Sequence, residues 1–144
     1  MNKKKINLYD KFLGFLIKRG KKKKAHNILI FSFFKICLFL NKPLNFVLVR
    51  FFQLLNTYVE TRTLRIRRQS FIVPFPISVE RRVHLISHWL LESIKSNKSL
   101  KAYWYKFAEE LLLVYQEKQS KTVELKDSNI ALANINRSNI HYRW

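Results

Sequence analysis

The sequence predicts a mainly α fold, a six-helix bundle with a β-hairpin arm protruding between helices 3 and 4. Three observations predict it. Between Thr61 and Arg82 the helical pattern stops, and Thr61, Thr63, Leu64, Ile66, Phe71, Ile72 and Val73 alternate loosely with Arg62, Arg65, Arg67 and Arg68. Residues of that kind favour a pleated ribbon. On both sides, apolar residues recur at helical i, i+3/i+4 spacing. The chain has 144 residues and no internal repeat, enough for one domain with a modest core. The expected organisation is a single domain over 1–144, with a basic tail at 1–6 and the arm at 59–76.

The elements follow in order. Asp10 is expected to N-cap a first helix with Phe12, Leu13, Leu16 and Ile17 inward, ended by Gly20 in the left-handed C′ position. Lys21, Lys22, Lys23 and Lys24 then form either a solvated turn or a phosphate clamp. Four adjacent ammonium groups repel one another, which favours the clamp. A second helix is expected from about Ala25 to Leu40. A third, about Leu44 to Asn56, has Pro43 as its first residue. In the arm, Gln69 and Ser70 fall about where the ribbon should turn, and Pro74 and Pro76 keep a helix from running through its far end.

Ser78 is placed to cap a fourth helix with the stripe Val79, Val83, Ile86, Leu90 and Ile94, widened by Trp89. Arg81 and Arg82 sit in its first turn, the wrong end for the helix dipole, so an external anion is expected to hold them. Ser99 is expected to start a fifth helix with Leu100, Trp104, Phe107, Leu111 and Val114 on its stripe, and Lys101 and Lys106 off it. Residues 116–126 read as a polar connection. Asp127 or Ser128 then opens a last helix with Ile130, Leu132, Ala133 and Ile135, ending in Ile140-His141-Tyr142-Arg143-Trp144.

The charge narrows the partners. Lys and Arg number 28 against 9 Asp and Glu, a formal net charge of +19. An excess of that size destabilises the fold by self-repulsion and attracts polyanions, nucleic acid first and an anionic membrane surface second. A two-stranded hairpin studded with Arg is marginal in water unless a phosphate backbone lies against it. The bland alternative is a basic edge that blocks edge-to-edge association. Cys37 is the single cysteine, which excludes an internal disulfide, is compatible with a reducing compartment, and reads as core filler. The apolar run Ile28 to Leu40 is 13 residues long and contains Lys35; a span needs roughly 20. Phe46 to Leu55 is broken by Arg50. Both read as buried helices of a compact bundle, with no membrane span and no signal peptide. Scarce Gly with abundant Phe, Ile, Lys and Asn suits AT-rich coding, as in an organelle genome.

Catalytic patterns are missing. His84 and His88 have the i, i+4 spacing of metal ligands, but no Glu or Cys completes a site, and a solvent- or RNA-facing pair is the better reading. Glu109 and Glu110 are adjacent and diverge on a helix. There is no glycine-rich phosphate loop and no nucleophile elbow. No enzyme, cofactor, metal or small-molecule substrate is expected.

Motifs spread along the chain then add up. Lys11-Phe12 through Gly20-Lys21-Lys22 and Ala25, Val59-Glu60 with Arg62 and Arg65, Val73-Pro74, Glu80-Arg81-Arg82 with Trp89, Phe107-Ala108-Glu109-Glu110-Leu111, Asn136-Arg137, and the closing His141-Tyr142-Arg143-Trp144 occur in that order. Together they resemble the bacterial-type small-subunit ribosomal protein S-seven family, in an organellar member: mitochondrial, with plastid as the alternative. Two departures stand out. Arg67 and Arg68 occupy the place of the family's Gly-Gly pair in the arm, which puts a tight turn in question. A basic segment before the last helix is reduced to Glu124-Leu125-Lys126-Asp127.

The resemblance implies a structural role in the small subunit, binding the 3′ major domain of its rRNA and helping the head assemble. Neighbouring head proteins are implied partners, and the arm would reach toward the exit-tRNA site and the mRNA path. The expected RNA-binding residues are Arg62, Arg65, Arg67 and Arg68 along the arm; Lys21 to Lys24 with Arg81 and Arg82 as a body patch; Lys101; and Arg137, His141 and Arg143 as a terminal patch. Tyr142 and Trp144 either stack on bases or pack on the protein's own helices. With Arg and Lys predominating, recognition is expected through backbone and shape. The rival readings are a basic membrane-surface protein and a helical scaffold for an acidic protein partner.

Overall fold

The computed structural model describes residues 8–143. The basic tail expected at 1–6 and Trp144 lie outside the described residues. Six α-helices run in the order α1 (Leu8–Leu16), α2 (Lys22–Leu40), α3 (Leu44–Leu54), α4 (Val79–Ser96), α5 (Tyr103–Tyr115) and α6 (Lys121–Ile135). Strands β1 (Val59–Ile66) and β2 (Gln69–Pro76) form an antiparallel ribbon between α3 and α4, and a closing 3-10 helix spans Arg137–Tyr142. The expected fold class is the observed one.

The core is built around Phe12 of α1, which is fully buried. Its ring centroid lies 6.5 Å from Phe33 of α2, 6.4 and 5.6 Å from Phe51 and Phe52 of α3, and 6.1 Å from Phe107 of α5. Tilted and edge-to-face rings at these separations are the favoured aromatic geometry. Leu29, Ile36, Leu55, Ile86, Leu90, Leu111 and Val114 complete the cluster at 2% exposure or less. Each such side chain contributes roughly 1.5–3 kcal/mol by leaving water. From the stripes expected on α4 and α5, Ile86, Trp89, Leu90, Ile94, Phe107, Leu111 and Val114 join this core.

Several boundaries differ from expectation, each for a local reason. Asp10 lies inside the first turn of α1 rather than capping it. That helix stops at Leu16, before Gly20, and Lys18 to Lys21 close a turn whose central residues, Arg19 and Gly20, both have positive φ. Lys22 to Lys24 are the first turn of α2, not a linker. Pro43 is the extended N-cap of α3, its carbonyl accepting from the N–H groups of Phe46 and Val47. The ribbon turns at Arg67-Arg68; Gln69 and Ser70 already pair with Ile66 and Arg65. Val79 is exposed at the mouth of α4. Ser99 and Leu100 precede α5 because Asn97 Oδ1 accepts from the Ser99 N–H and holds that segment in a turn, leaving Leu100 in solvent.

The last helix begins six residues before Asp127. Ser120 caps it, accepting from Val123 N–H, and the buried Glu110 carboxylate of α5 accepts both the N–H and the hydroxyl of Thr122. These bonds satisfy N–H groups that a helix start leaves open. Its inward stripe is Thr122, Lys126, Asn129 and Ala133, while Leu132 and Ile135 face outward. The stripe is polar because it meets backbone: Lys126 Nζ donates to the Leu54 carbonyl at the end of α3, and Asn129 bonds to β1.

The expectation of two buried apolar helices holds for one face of each: α3 buries Val47, Leu48 and Phe51 but exposes Phe46 and Val49, and α2 is likewise divided. Leu29, Phe33 and Ile36 are buried, but Phe31, Phe34, Leu38 and Phe39 are more than half exposed. Cys37 is half-buried. Among the described residues, no single helix is long and apolar enough to cross a membrane; α2 and α3 together reach that apolarity but meet at a 92° bend.

Candidate nucleic-acid interface

The arm is the feature to explain first, because a lone two-stranded hairpin rarely stands in water. Side chains from the C-terminal third close both of its edges. On the β1 edge, Asn129 Oδ1 accepts from Thr61 N–H at 3.4 Å, and Asn129 Nδ2 donates to the Val59 carbonyl at 2.9 Å. On the β2 edge, Asn139 Nδ2 donates to the Ile72 carbonyl at 3.0 Å and Arg143 Nε to the Pro74 carbonyl at 2.6 Å. Thr61 pairs with Pro74 and Val59 with Pro76. At these positions the strand nitrogens point off the ladder, so neither proline costs a ladder bond.

Side chains alternate between the two faces. One face carries Arg62 with Val73, Phe71 and Phe75; the other carries Arg65 beside Thr63 and Ser70. The closing 3-10 helix lies on the first. Tyr142 stacks on Phe71 with ring centroids 4.7 Å apart, and His141 lies 4.0 Å from Tyr142. The guanidiniums of Arg62 and Arg143 stand 5.4 and 5.9 Å from the Phe75 ring. Arg62 of the arm patch and His141 and Arg143 of the terminal patch, expected as separate groups, therefore share one face, with Arg65 on the other. The outer end of the shared face is an open cleft lined by Arg67, Arg68, Gln69, Phe71 and Tyr142. Tyr142 is thereby packed on protein, one of its two anticipated roles.

Arg67 occupies the turn with φ +55°. A tight turn thus forms without the glycine pair, at a conformational cost of roughly 1–2 kcal/mol for a side chain in that region. Arg65, Arg67 and Arg68 are exposed, and none is within ion-pair distance of a carboxylate among the described residues.

At the base of the arm the expectation is corrected. The anion holding Arg81 is internal. Glu60, only 10% exposed at its side chain, accepts from Arg81 Nε at 3.0 Å and from Arg81 Nη2, and Arg62 approaches it at 3.3 Å. The Arg81 hydrogen bonds hold the Glu60 carboxyl below its ordinary range against the opposing effect of burial. Arg82 lies over the Tyr58 ring at 4.5 Å and lines a mainly apolar pocket with Val49, Phe52 and Val83. Lys101 is paired with Glu109 at 2.6 Å.

Lys21 to Lys24 form a separate patch. Lys18 shares a pocket with Leu91 and Lys95 near the end of α4, whereas Arg81 and Arg82 open that helix. Fourteen residues of α4 put roughly 20 Å between the two ends. Lys22, Lys23 and Lys24 are exposed on the first turn of α2, where cations oppose the helix dipole and free N–H groups add to the positive potential. Lys18 and Lys95 belong to this patch and were not anticipated; their signal appears only when α1 is laid along α4. Arg137 opens the closing 3-10 helix and is exposed. His84 stands edge-on to Phe15 at 4.9 Å, and His88 is 3.7 Å from Glu92. No cluster of metal-ligating residues occurs among the described residues.

A helical body with a capped, arginine-tipped arm calls for comparison with known families. The pattern described as Ribosomal protein S7p/S5e matches residues 1–137. The chain belongs to that family. It resembles the "Small ribosomal subunit protein uS7" of Thermomicrobium roseum, 25% identical over 140 residues covering 95% of this chain and 86% of the relative. The protein of the same name from Nitrosococcus oceani is 28% identical over 134 residues, 93% and 85% of the two chains. "Small ribosomal subunit protein uS7m" of Reclinomonas americana is 28% identical over 140 residues, 96% and 86%. As a member of the S7p/S5e family, the chain is a structural, non-enzymatic component of the small ribosomal subunit and serves translation.

Proposed function

We propose that the chain binds small-subunit rRNA in its 3′ major domain and helps the subunit head assemble, with the arm directed at the exit-tRNA and mRNA path. On this reading residues 1–144 act as one rRNA-binding domain. Arg65, Arg67 and Arg68 grip phosphates at the arm, Arg62, Arg137, His141 and Arg143 flank them, and Lys21 to Lys24 hold a second stretch of backbone on the body. Arg81 and Lys101, already paired with Glu60 and Glu109, contribute less, and Arg82 contributes from its seat on Tyr58. Neighbouring head proteins complete the set of partners. The compartment we propose is the mitochondrion, with the plastid as the alternative, supported by the Phe-, Ile-, Lys- and Asn-rich, Gly-poor composition.

The observation that carries the reading is the arm tip. Arg67 and Arg68, exposed and without carboxylate partners, form a turn that a neutral pair would form at lower cost, and the equally unpaired Arg65 stands on the strand that leads into it. The test is binding of the Arg67→Ala/Arg68→Ala variant to a 3′ major domain transcript across a salt series. Affinity is expected to fall, with the log–log salt slope shallower by about one to two units, while helical circular dichroism is unchanged. Wild-type affinity in that variant would sink the arm as a phosphate clamp.

A further inference from the structure

The outer face of α2 has no use in RNA binding as proposed. Ile30, Phe31, Phe34, Leu38 and Phe39 are each between 45% and 63% exposed. With about 100° of rotation per residue, Ile30, Phe31, Phe34 and Leu38 fall within one arc, opposite the buried Leu29, Phe33 and Ile36. Trp104 of α5 extends the patch, its ring 6.1 Å from Phe31. Lys35 runs along the edge, its ammonium 3.0 Å from the Tyr105 ring centroid. A contiguous apolar surface of this kind on a soluble face marks an interaction site.

Charge selects the occupant. From Lys11 to Val59 the sequence contains no Asp or Glu, and Lys or Arg occurs at ten positions. The apolar face is accordingly bounded by Lys22 to Lys24 at one end, Lys42 at the other and Lys35 between. A second copy of this chain would set those cations against their own kind. RNA would neutralise the rim with its phosphates, but Ile30 and Leu38 offer no ring for a base to stack on and would stay uncovered. Within a ribosomal subunit, whose components are RNA and protein, the remaining complement is a protein.

We infer that the α2 face docks a neighbouring small-subunit protein through an apolar stripe edged by Asp and Glu. The apolar stripe covers Phe31, Phe34 and Leu38, and the carboxylates meet Lys35 and the lysines at the helix ends. The inference rests on membership in the subunit and not on which rRNA segment the arm holds.

Photo-cross-linking in assembled small subunits tests it, with p-benzoylphenylalanine in place of Phe34 and the cross-linked peptides identified by mass spectrometry. The expected product joins this chain to one subunit protein, at a segment where apolar residues lie beside Asp or Glu. A cross-link only to rRNA, to lipid or to another copy of this chain overturns the inference, as does none at all. A second variant, Phe31→Ser/Phe34→Ser/Leu38→Ser, alters exposed positions only. It is expected to keep its helices and its rRNA affinity while losing that partner from the particle by roughly tenfold or more. Full partner occupancy in that variant also overturns it. Retained rRNA affinity separates this outcome from a failure of the phosphate clamp.

Discussion

Glu60 is the residue on which the arm's attachment turns. Its carboxylate joins β1 to Arg81 at the start of α4, so a residue expected to face RNA is spent on the protein itself. The depressed pKa sets the sign of a pH effect. The pair's contribution is complete above the ordinary carboxylate pKa near 4.5 and is lost as pH falls through the lower folded-state value. Glu60→Gln is expected to destabilise the chain by roughly 1–2 kcal/mol at pH 7, a figure discounted because the Arg81 side chain is 40% exposed. As pH falls below that lowered folded-state value the variant and parent should converge. Thermal melts of both at neutral and acid pH check this, and a pH-independent gap would contradict it. Arg67 carries the opposite trade. Arg67→Gly is expected to stabilise the turn by about 0.5–1 kcal/mol in denaturant titrations and to weaken rRNA binding, since relief of backbone strain removes a charge.

At the scale of elements, the C-terminal third is what makes a two-stranded arm possible. Asn129, Asn139 and Arg143 reach backbone groups on its two edges that water would otherwise have to satisfy. Asn129→Ala is expected to speed amide exchange at Thr61 and weaken the β1 edge, at a cost of about 1–2 kcal/mol, without disturbing α1 to α5. Protection at Thr61 equal to the parent's would show that the edge does not need the amide. The same elements mark the limits of pattern reading. The stripes of α4 and α5 were legible because they pack on apolar neighbours. The inward stripe of α6 was not, since Thr122, Lys126 and Asn129 face carbonyl and amide groups and carry no hydrophobic period. Its true start did leave a signal in Ser120, which caps Val123, but the reach of Glu110 from α5 is a tertiary fact.

For the whole molecule, the net charge of +19 acts with opposite signs on folding and binding. Raising salt from about 10 to 200 mM is expected to raise the melting temperature of the isolated chain, because screening relieves self-repulsion. Over a similar range rRNA affinity is expected to fall by orders of magnitude if six or more phosphates are neutralised. Calorimetry and filter binding across one salt series would read both trends, and a melting temperature that falls with salt would contradict the first.

What the sequence determined alone was the class of fold, the place of the arm and the chemistry of the surface. Those depend on local propensity, periodicity and composition, which a single chain carries residue by residue. Which cations remain free, and which are consumed, was decided only in three dimensions. Glu60 meets Arg81 from β1 to α4, Lys101 turns from the segment before α5 onto Glu109 of that helix, the His141-Tyr142-Arg143 end lies along the arm, and α4 separates the lysine run from the arginines it was grouped with. Pairing of that kind depends on distance through space, and helix packing sets it without leaving a period in the sequence.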